Sequence, residues 1–425
     1  MTRTGAALFV LCACGARTAP IVDERADAGV TSCEPSIEVC NGVDDDCDGL
    51  ADEGLPLTEL GDPIVLRSPG ETTTGTCRVC DQALRGDVIE IDGGLLALWQ
   101  MNFTATDPRP NTFARRLDRD GAPLEESRLV TDRYTTLSLE AATLPDGRRV
   151  LSFCERVEER SARNDYPSLL LLGAGGRAAG EVVRVSDARC VIGGAAVAVT
   201  GARTLLAVRT APASVELVVV GPDLRAASTT DLGHARMAAI AASGDALVAR
   251  VTEDSGGGVG WQAHALDPLG AVRATEAFVR SGFVADLALL PRREGWWIAT
   301  ATHESGARLQ ALTQDGVRVA SARPLGTSSL ARAVDGVALR DGRSVLIAGF
   351  ADGGRGDRRE LSEMYLVDSE GDIASTWRSG ELEEPIWRSP VLRALDDGRV
   401  AIVYTTDAPD DEHDEVRLRL LACAP

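Results

Sequence analysis

The stretch "DGRSVLIAG", residues 341–349, sets an Asp-Gly pair directly ahead of a run of branched apolar residues. Asp-Gly tolerates the positive φ that a tight hairpin turn demands, and the run behind it suits a buried strand. The arrangement returns in "DGGLLALW", "DGRRVLSF", "TGARTLLAV", "SGDALVARV", "EGWWIAT" and "DGRVAIVY". The seven anchors are Gly93, Gly147, Gly201, Gly244, Gly295, Gly342 and Gly398, with steps of 54, 54, 43, 51, 47 and 56 residues. A period of about fifty marks a repeat architecture.

Each unit carries a short apolar strand before its anchor turn and a stronger one after it. A variable polar segment, a third strand and a second turn follow. In six units that turn reads "DRDGAP", "GAGGRA", "GPDLRA", "DPLGAV", "TQDGVR" and "DSEGDI", ahead of a fourth strand. Four antiparallel strands per unit predict an all-β fold made of β-propeller blades. Separate β-sandwiches would need units about twice as long, each with its own core.

The seventh unit lacks a fourth strand after "EVRLRLLA" (415–422), while "LTELGDPIVLR" (57–67) stands alone before the first unit. The surplus strand fits the deficit. We expect a seven-bladed β-propeller over 55–425, closed by its N-terminal strand pairing with 415–422. Loops between second and third strands then share one face with the blade-to-blade connections, and the hairpin turns share the other. The longest such loops are expected at 104–111, 155–168, 252–260, 350–361 and 405–414. That loop face is the expected binding face, since variable loops over a rigid scaffold carry function.

The chain has 425 residues and a net charge of −20, which excludes a nucleic-acid partner because no basic stripe offsets the repulsion of phosphates. Hydrophobic residues make up 44% and aromatics 4%, a globular composition. The opening "MTRTGAALFVLCAC" has an apolar run too short to span a bilayer, so 1–13 reads as a signal peptide. Its end, Leu11-Cys12-Ala13-Cys14, resembles a bacterial lipobox, which implies lipidation at Cys14. Residues 14–32 would be a flexible tether. The expected place is the bacterial cell envelope, on the outer membrane rather than the inner, with surface or periplasmic orientation open.

Eight cysteines follow Cys14: Cys33, Cys40, Cys47, Cys77, Cys80, Cys154, Cys190 and Cys423. Export makes them disulfide candidates. By strand direction Cys77, Cys80, Cys154 and Cys190 fall on the loop face, and Cys423 falls on the turn face, where 33–54 enters. Cys423 is therefore the expected partner of Cys33, Cys40 or Cys47. "CRVC" (77–80) has no second half to complete a zinc site.

Residues 33–54, "CEPSIEVCNGVDDDCDGLADEG", place Asp44, Asp46 and Asp48 at alternating positions, then Gly49, Asp52 and Glu53. Hard oxygen ligands around a glycine bend match the first part of an EF-hand-type calcium loop, but position 12 is Leu55 rather than Glu. The combination with cysteines is similar to thrombospondin type 3 repeats. As a whole the stretch closely resembles the MopE-type metal-binding motif family, which implies metal ligation by Asp44, Asp46, Asp48, Asp52 and Glu53. That family is associated with copper. Carboxylates suit calcium (Ca2+) better, since copper prefers imidazole or soft sulfur.

No GxSxG, HExxH or Walker loop occurs. The expected function is an exported, lipid-anchored, non-catalytic binding protein: a calcium-binding collar and a propeller scaffold for a protein or polysaccharide ligand. The alternative is a secreted or surface hydrolase, glycosidase-like, using carboxylates on the loop face such as those of "DAPDDEHDE" (407–415), with His413 as an added ligand.

Overall fold

The computed structural model describes residues 35–36, 57–66, 83–102, 110–131, 133–144, 146–159, 162–201, 203–210, 213–253, 259–280, 284–302, 304–326, 330–351, 360–378, 388–407 and 414–423. Among them the strands form seven antiparallel sheets, six of them built from four consecutive strands. The first strands of the sheets are Ala83–Ile91, Tyr134–Thr143, Cys190–Val199, Met237–Ser243, Val284–Arg292, Ala331–Ala338 and Arg388–Ala394. These contact one another in order, and the seventh returns to the first. The chain is a seven-bladed β-propeller with these strands around its axis.

A lone four-stranded sheet cannot bury both faces, so each blade depends on its neighbours. Seven apolar clusters sit between successive blades. Between blades four and five, Trp261 and Val251 pack with Leu287 and Trp296. Between blades one and two, Leu96, Leu98 and Ala114 meet Leu151, Leu170 and Leu172.

The repeated "DGR" is a self-contained turn. Asp146, Asp341 and Asp397 accept the backbone N–H of Arg148, Arg343 and Arg399 at 3.0, 2.9 and 3.2 Å. Each arginine Nε returns to the same carboxylate at 2.7, 2.5 and 2.9 Å. The second turns use glycine for another reason as well. Gly270 has φ +88°, and a Cβ there would lie 2.7 Å from Val219 of blade three. Blade three departs from this pattern: Leu224 holds the left-handed position at φ 64°, with its side chain buried between blades two and three.

The N-terminal strand closes the ring. Leu57–Glu59 and Ile64–Val65 pair antiparallel with Asp414–Cys423, so the fourth strand of blade seven comes from the other end of the described chain. Leu57 is buried between blades six and seven, and Leu66 between blades seven and one. The Leu66 carbonyl also accepts from Arg115 and Ser127 of blade one, both at 3.3 Å. Thus ten residues tie three blades together.

One expected loop is corrected. Most of 155–168 is not a loop: Arg149–Glu159 and Ala162–Leu172 pair along their whole length, from Arg149↔Leu172 to Glu159↔Ala162. The charges that made the segment read as a loop are cross-strand partners, with Arg156 Nε 2.9 Å and Nη2 3.3 Å from the Asp165 carboxylate. Directly opposed opposite charges support a ladder.

Candidate functional site

First strands around a propeller axis are not laddered to one another, which leaves backbone donors to be satisfied. Carboxylates from several blades do this. The Asp87 carboxylate accepts the N–H of Ala141 at 2.7 Å, and Glu140 accepts that of Val197 at 2.7 Å. Asp286 and Asp335 accept those of Val334 and Leu392, each at 3.1 Å. In every case the acceptor lies in one blade and the donor in the next. At the seam where the ring closes the donor is a side chain: Arg393 of blade seven grips Asp87 of blade one, which accepts from Ala141 as well.

The same seam holds a second carboxylate nearer the turn face. Glu90 Oε2 accepts the Asp396 N–H at 2.8 Å. Burial, followed by the Asp396 and Asp397 charges, raises the Glu90 carboxyl from 4.5 to about 7 despite that bond. Arg149 donates to the Glu90 carbonyl at 2.9 Å, and Arg399 adds a cation nearby.

Between blades three and four, Arg250 Nε donates to His264 Nε2 at 3.0 Å. An arginine only donates, so Nε2 is the acceptor and Nδ1 carries the proton toward Thr275 Oγ1, 3.1 Å away. Burial, and after it the Arg250 cation, lower the imidazole from 6.5 to about 4. This histidine is a neutral packing element of the seam.

On the loop face, the seam between blades one and two gathers polar side chains. Gln100 Nε2 donates to the Ser138 carbonyl at 2.8 Å. Ser168 Oγ lies 3.4 Å from Glu155 Oε2, and Arg133 Nη1 lies 3.7 Å from Glu155 Oε1. The Arg184 guanidinium lies over the Tyr166 ring at 3.8 Å. Gln100, Glu155, Asn164, Tyr166 and Ser168 are all buried. Directly behind Glu155, Cys154 is bonded to Cys190 of blade three, with a Cα–Cα distance of 6.2 Å. The hairpin of blade two is therefore fixed at its base.

The sequence-derived residues divide as follows. Cys154 and Cys190 are brought together, with both on the loop-face side as strand direction required. The Cys423 backbone pairs with Leu57 at the turn-face end of blade seven. Asp44, Asp46, Asp48, Asp52, Glu53, Cys14, Cys33, Cys40, Cys47, Cys77, Cys80 and His413 lie outside the described residues. Among the described residues no group of three or more His, Cys, Asp or Glu could hold a metal. Sequence reasoning missed Asp87, Glu140, Asp335 and Arg393. Their signal was a charge set inside a first strand among apolar residues, as in "RGDVIEI" and "SLEAAT".

No protein-family model matches the chain, and no curated protein matches it in sequence. Among solved structures, the Penicillium chrysogenum alpha-L-arabinanase complexed with arabinobiose is similar at 12% identity and TM-score 0.45, over 85% of this chain and 98% of that one. The Trypanosoma rangeli sialidase in complex with the inhibitor DANA is similar at 11% identity and TM-score 0.44, over 86% of this chain; the match spans 60% of the sialidase. A glucose dehydrogenase is similar at 15% identity and TM-score 0.40, over 87% of this chain and 99% of that one. Likenesses at these scores carry no statement about chemistry.

Proposed function

We propose that the protein is an exported, non-catalytic binding protein that is lipid-anchored at Cys14 and presents the loop face of its propeller to a ligand of the cell envelope. A collar over residues 33–54 joins tether to propeller and binds calcium through Asp44, Asp46, Asp48, Asp52 and Glu53. One observation carries the binding reading. The carboxylates that converge from several blades, Asp87, Glu140, Asp286 and Asp335, hold backbone donors of the next blade. That use is scaffolding, and a carboxylate so held is a poor proton shuttle. The fold itself hosts many activities and selects none of them.

Retention of the purified mature protein on isolated envelopes tests this reading. Saturable retention is expected, lost with Arg133→Glu on the loop face and kept with Leu269→Lys on the turn face. Release of soluble sugar or peptide fragments during incubation would replace the binder with the hydrolase.

A further inference from the structure

We propose that the turn-face end of the ring-closing seam is a proton-operated latch, in which Glu90 of blade one and Asp396 of blade seven share one proton. Loss of that proton to solvent frees the turn 395–399 from blade one. Contacts across the seam set up the sharing. Glu90 Oε2 accepts the Asp396 N–H at 2.8 Å, and the two carboxyl groups are also within hydrogen-bonding reach of each other. With one proton between them that contact is a bond; with none it is a meeting of like charges. The turn is closed on itself, with Leu395 N–H donating to the Arg399 carbonyl at 2.8 Å and Gly398 N–H to the Leu395 carbonyl at 3.1 Å. It can therefore part from blade one as a unit.

The arginines nearby decide which carboxyl keeps the proton. Arg340 of blade six lies 2.8 Å from Asp396, and Arg399 lies 2.6 Å from Asp397. Glu90 makes no such ion pair among the described residues. Arg149 of blade two is engaged by the Glu90 carbonyl at 2.9 Å and by Asp92 at 3.2 Å. Arg119 acts on Asp397, and Arg399 divides its charge among Asp397, Asp120 and Glu90. Glu90 is thus the carboxyl that burial and the Asp396 and Asp397 charges keep protonated, up to about 7. Deeper in the seam, Arg393 grips Asp87 independently of Glu90, which confines the parting to the turn-face end.

Hydrogen–deuterium exchange of the mature protein from about pH 5 to 8, each rate compared with the intrinsic rate at the same pH, tests the latch. Protection of the 395–399 amides should fall about tenfold per pH unit and level off above about 7. Low denaturant should leave that protection unchanged, as a local opening requires, while lowering it at Ala141 and Leu392, whose N–H groups Asp87 and Asp335 hold. Glu90→Gln keeps an acceptor for the Asp396 N–H and has no proton to lose, so its protection should stay high at every pH. Asp396→Asn removes the facing charge and should bring the levelling-off to lower pH; it decides the matter if Glu90→Gln does not fold. Residues that only pack would give protection level with pH in the natural chain. That result, an unchanged fall in either variant, or a denaturant response in step with Ala141 and Leu392 overturns the proposal.

Discussion

Asp87 and Arg393, 306 residues apart in sequence, form a buried two-pronged ion pair across the seam between the first and last blades. Arg393 Nε lies 2.7 Å from Asp87 Oδ1 and Nη2 lies 2.5 Å from Oδ2. Both side chains are almost wholly excluded from solvent. Such a pair does little for net stability when both partners are present, but removing one strands the other's charge. Arg393→Met should therefore cost about 3–5 kcal/mol in chemical denaturation. Adding Asp87→Leu to it should recover part of that loss, although the Ala141 N–H then lacks its acceptor. Equal stability of Arg393→Met and the natural chain would contradict the seam geometry.

The closing strand should be the most sensitive surface element. Leu66 is buried between blades seven and one, and its truncation to Ala should cost roughly 2–5 kcal/mol. Leu124, exposed on an outer edge, should change by less than about 0.5 kcal/mol under the same truncation. Thermal unfolding of the two variants side by side compares them.

Two seams titrate in opposite senses. Glu90, raised from 4.5 to about 7, keeps its proton in the folded state over that window, so stability falls as pH rises from 4.5 to 7. His264, lowered from 6.5 to about 4, refuses a proton that the unfolded chain accepts, so stability falls as pH drops from 6.5 to 4. Between 4.5 and 6.5 the two slopes oppose each other. Glu90→Gln should leave a stability that rises with pH there, and His264→Gln one that falls. Denaturation midpoints at half-unit pH steps would reveal whether the two variants diverge with these signs.

Glycines at two turns differ in what they avoid. Gly147 has φ +81° and nothing within 4 Å of a Cβ, so Gly147→Ala should cost only the backbone strain, about 1–2 kcal/mol. Gly270 adds Val219 at 2.7 Å and Leu205 at 2.9 Å, so Gly270→Ala should cost about 1–3 kcal/mol more. Comparable losses at the two sites would show that blade three yields to its neighbour.

Much of the ring was legible because its turns are chemically constrained. A positive φ at Gly93, Gly147, Gly342 and Gly398 is hard to meet with other residues, so the repeat survives divergence in the strands. The closing strand was legible as a count: one strand too many before the first blade and one too few in the last. The charges inside the ring were not legible in the same way. Asp87 in "RGDVIEI" reads alike whether it faces water or a guanidinium 306 positions away. The hairpin of blade two was misread because "ERVEERSARNDY" is mostly charged or polar, and only pairing shows that Arg156 and Asp165 meet. Asn164 is hidden for a related reason, since nothing local distinguishes a buried asparagine from one at a loop tip.

Calcium binding by the collar predicts a ligand-dependent stability. Binding only to the folded loop should stabilise by about 2.7 kcal/mol at a hundredfold excess over Kd. With Leu55 where a closing Glu would stand, Kd should fall around 10⁻⁴–10⁻³ M, the range of extracellular modules. Titration of the mature protein with calcium, then of Asp46→Ala, checks this. Heat in the first that vanishes in the second supports the site, and tight copper binding in its place would oppose it.

That the chain closes its own ring, and so fixes which face is free to bind, is tested most directly by an engineered cross-link. Val65 and Arg417 are register partners in the closing ladder. Val65→Cys with Arg417→Cys should give one further intramolecular disulfide in a monomer, seen as a new linked peptide joining the two positions after non-reducing digestion. Free thiols at both positions, or a bond that joins two chains, would contradict closure by residues 57–66.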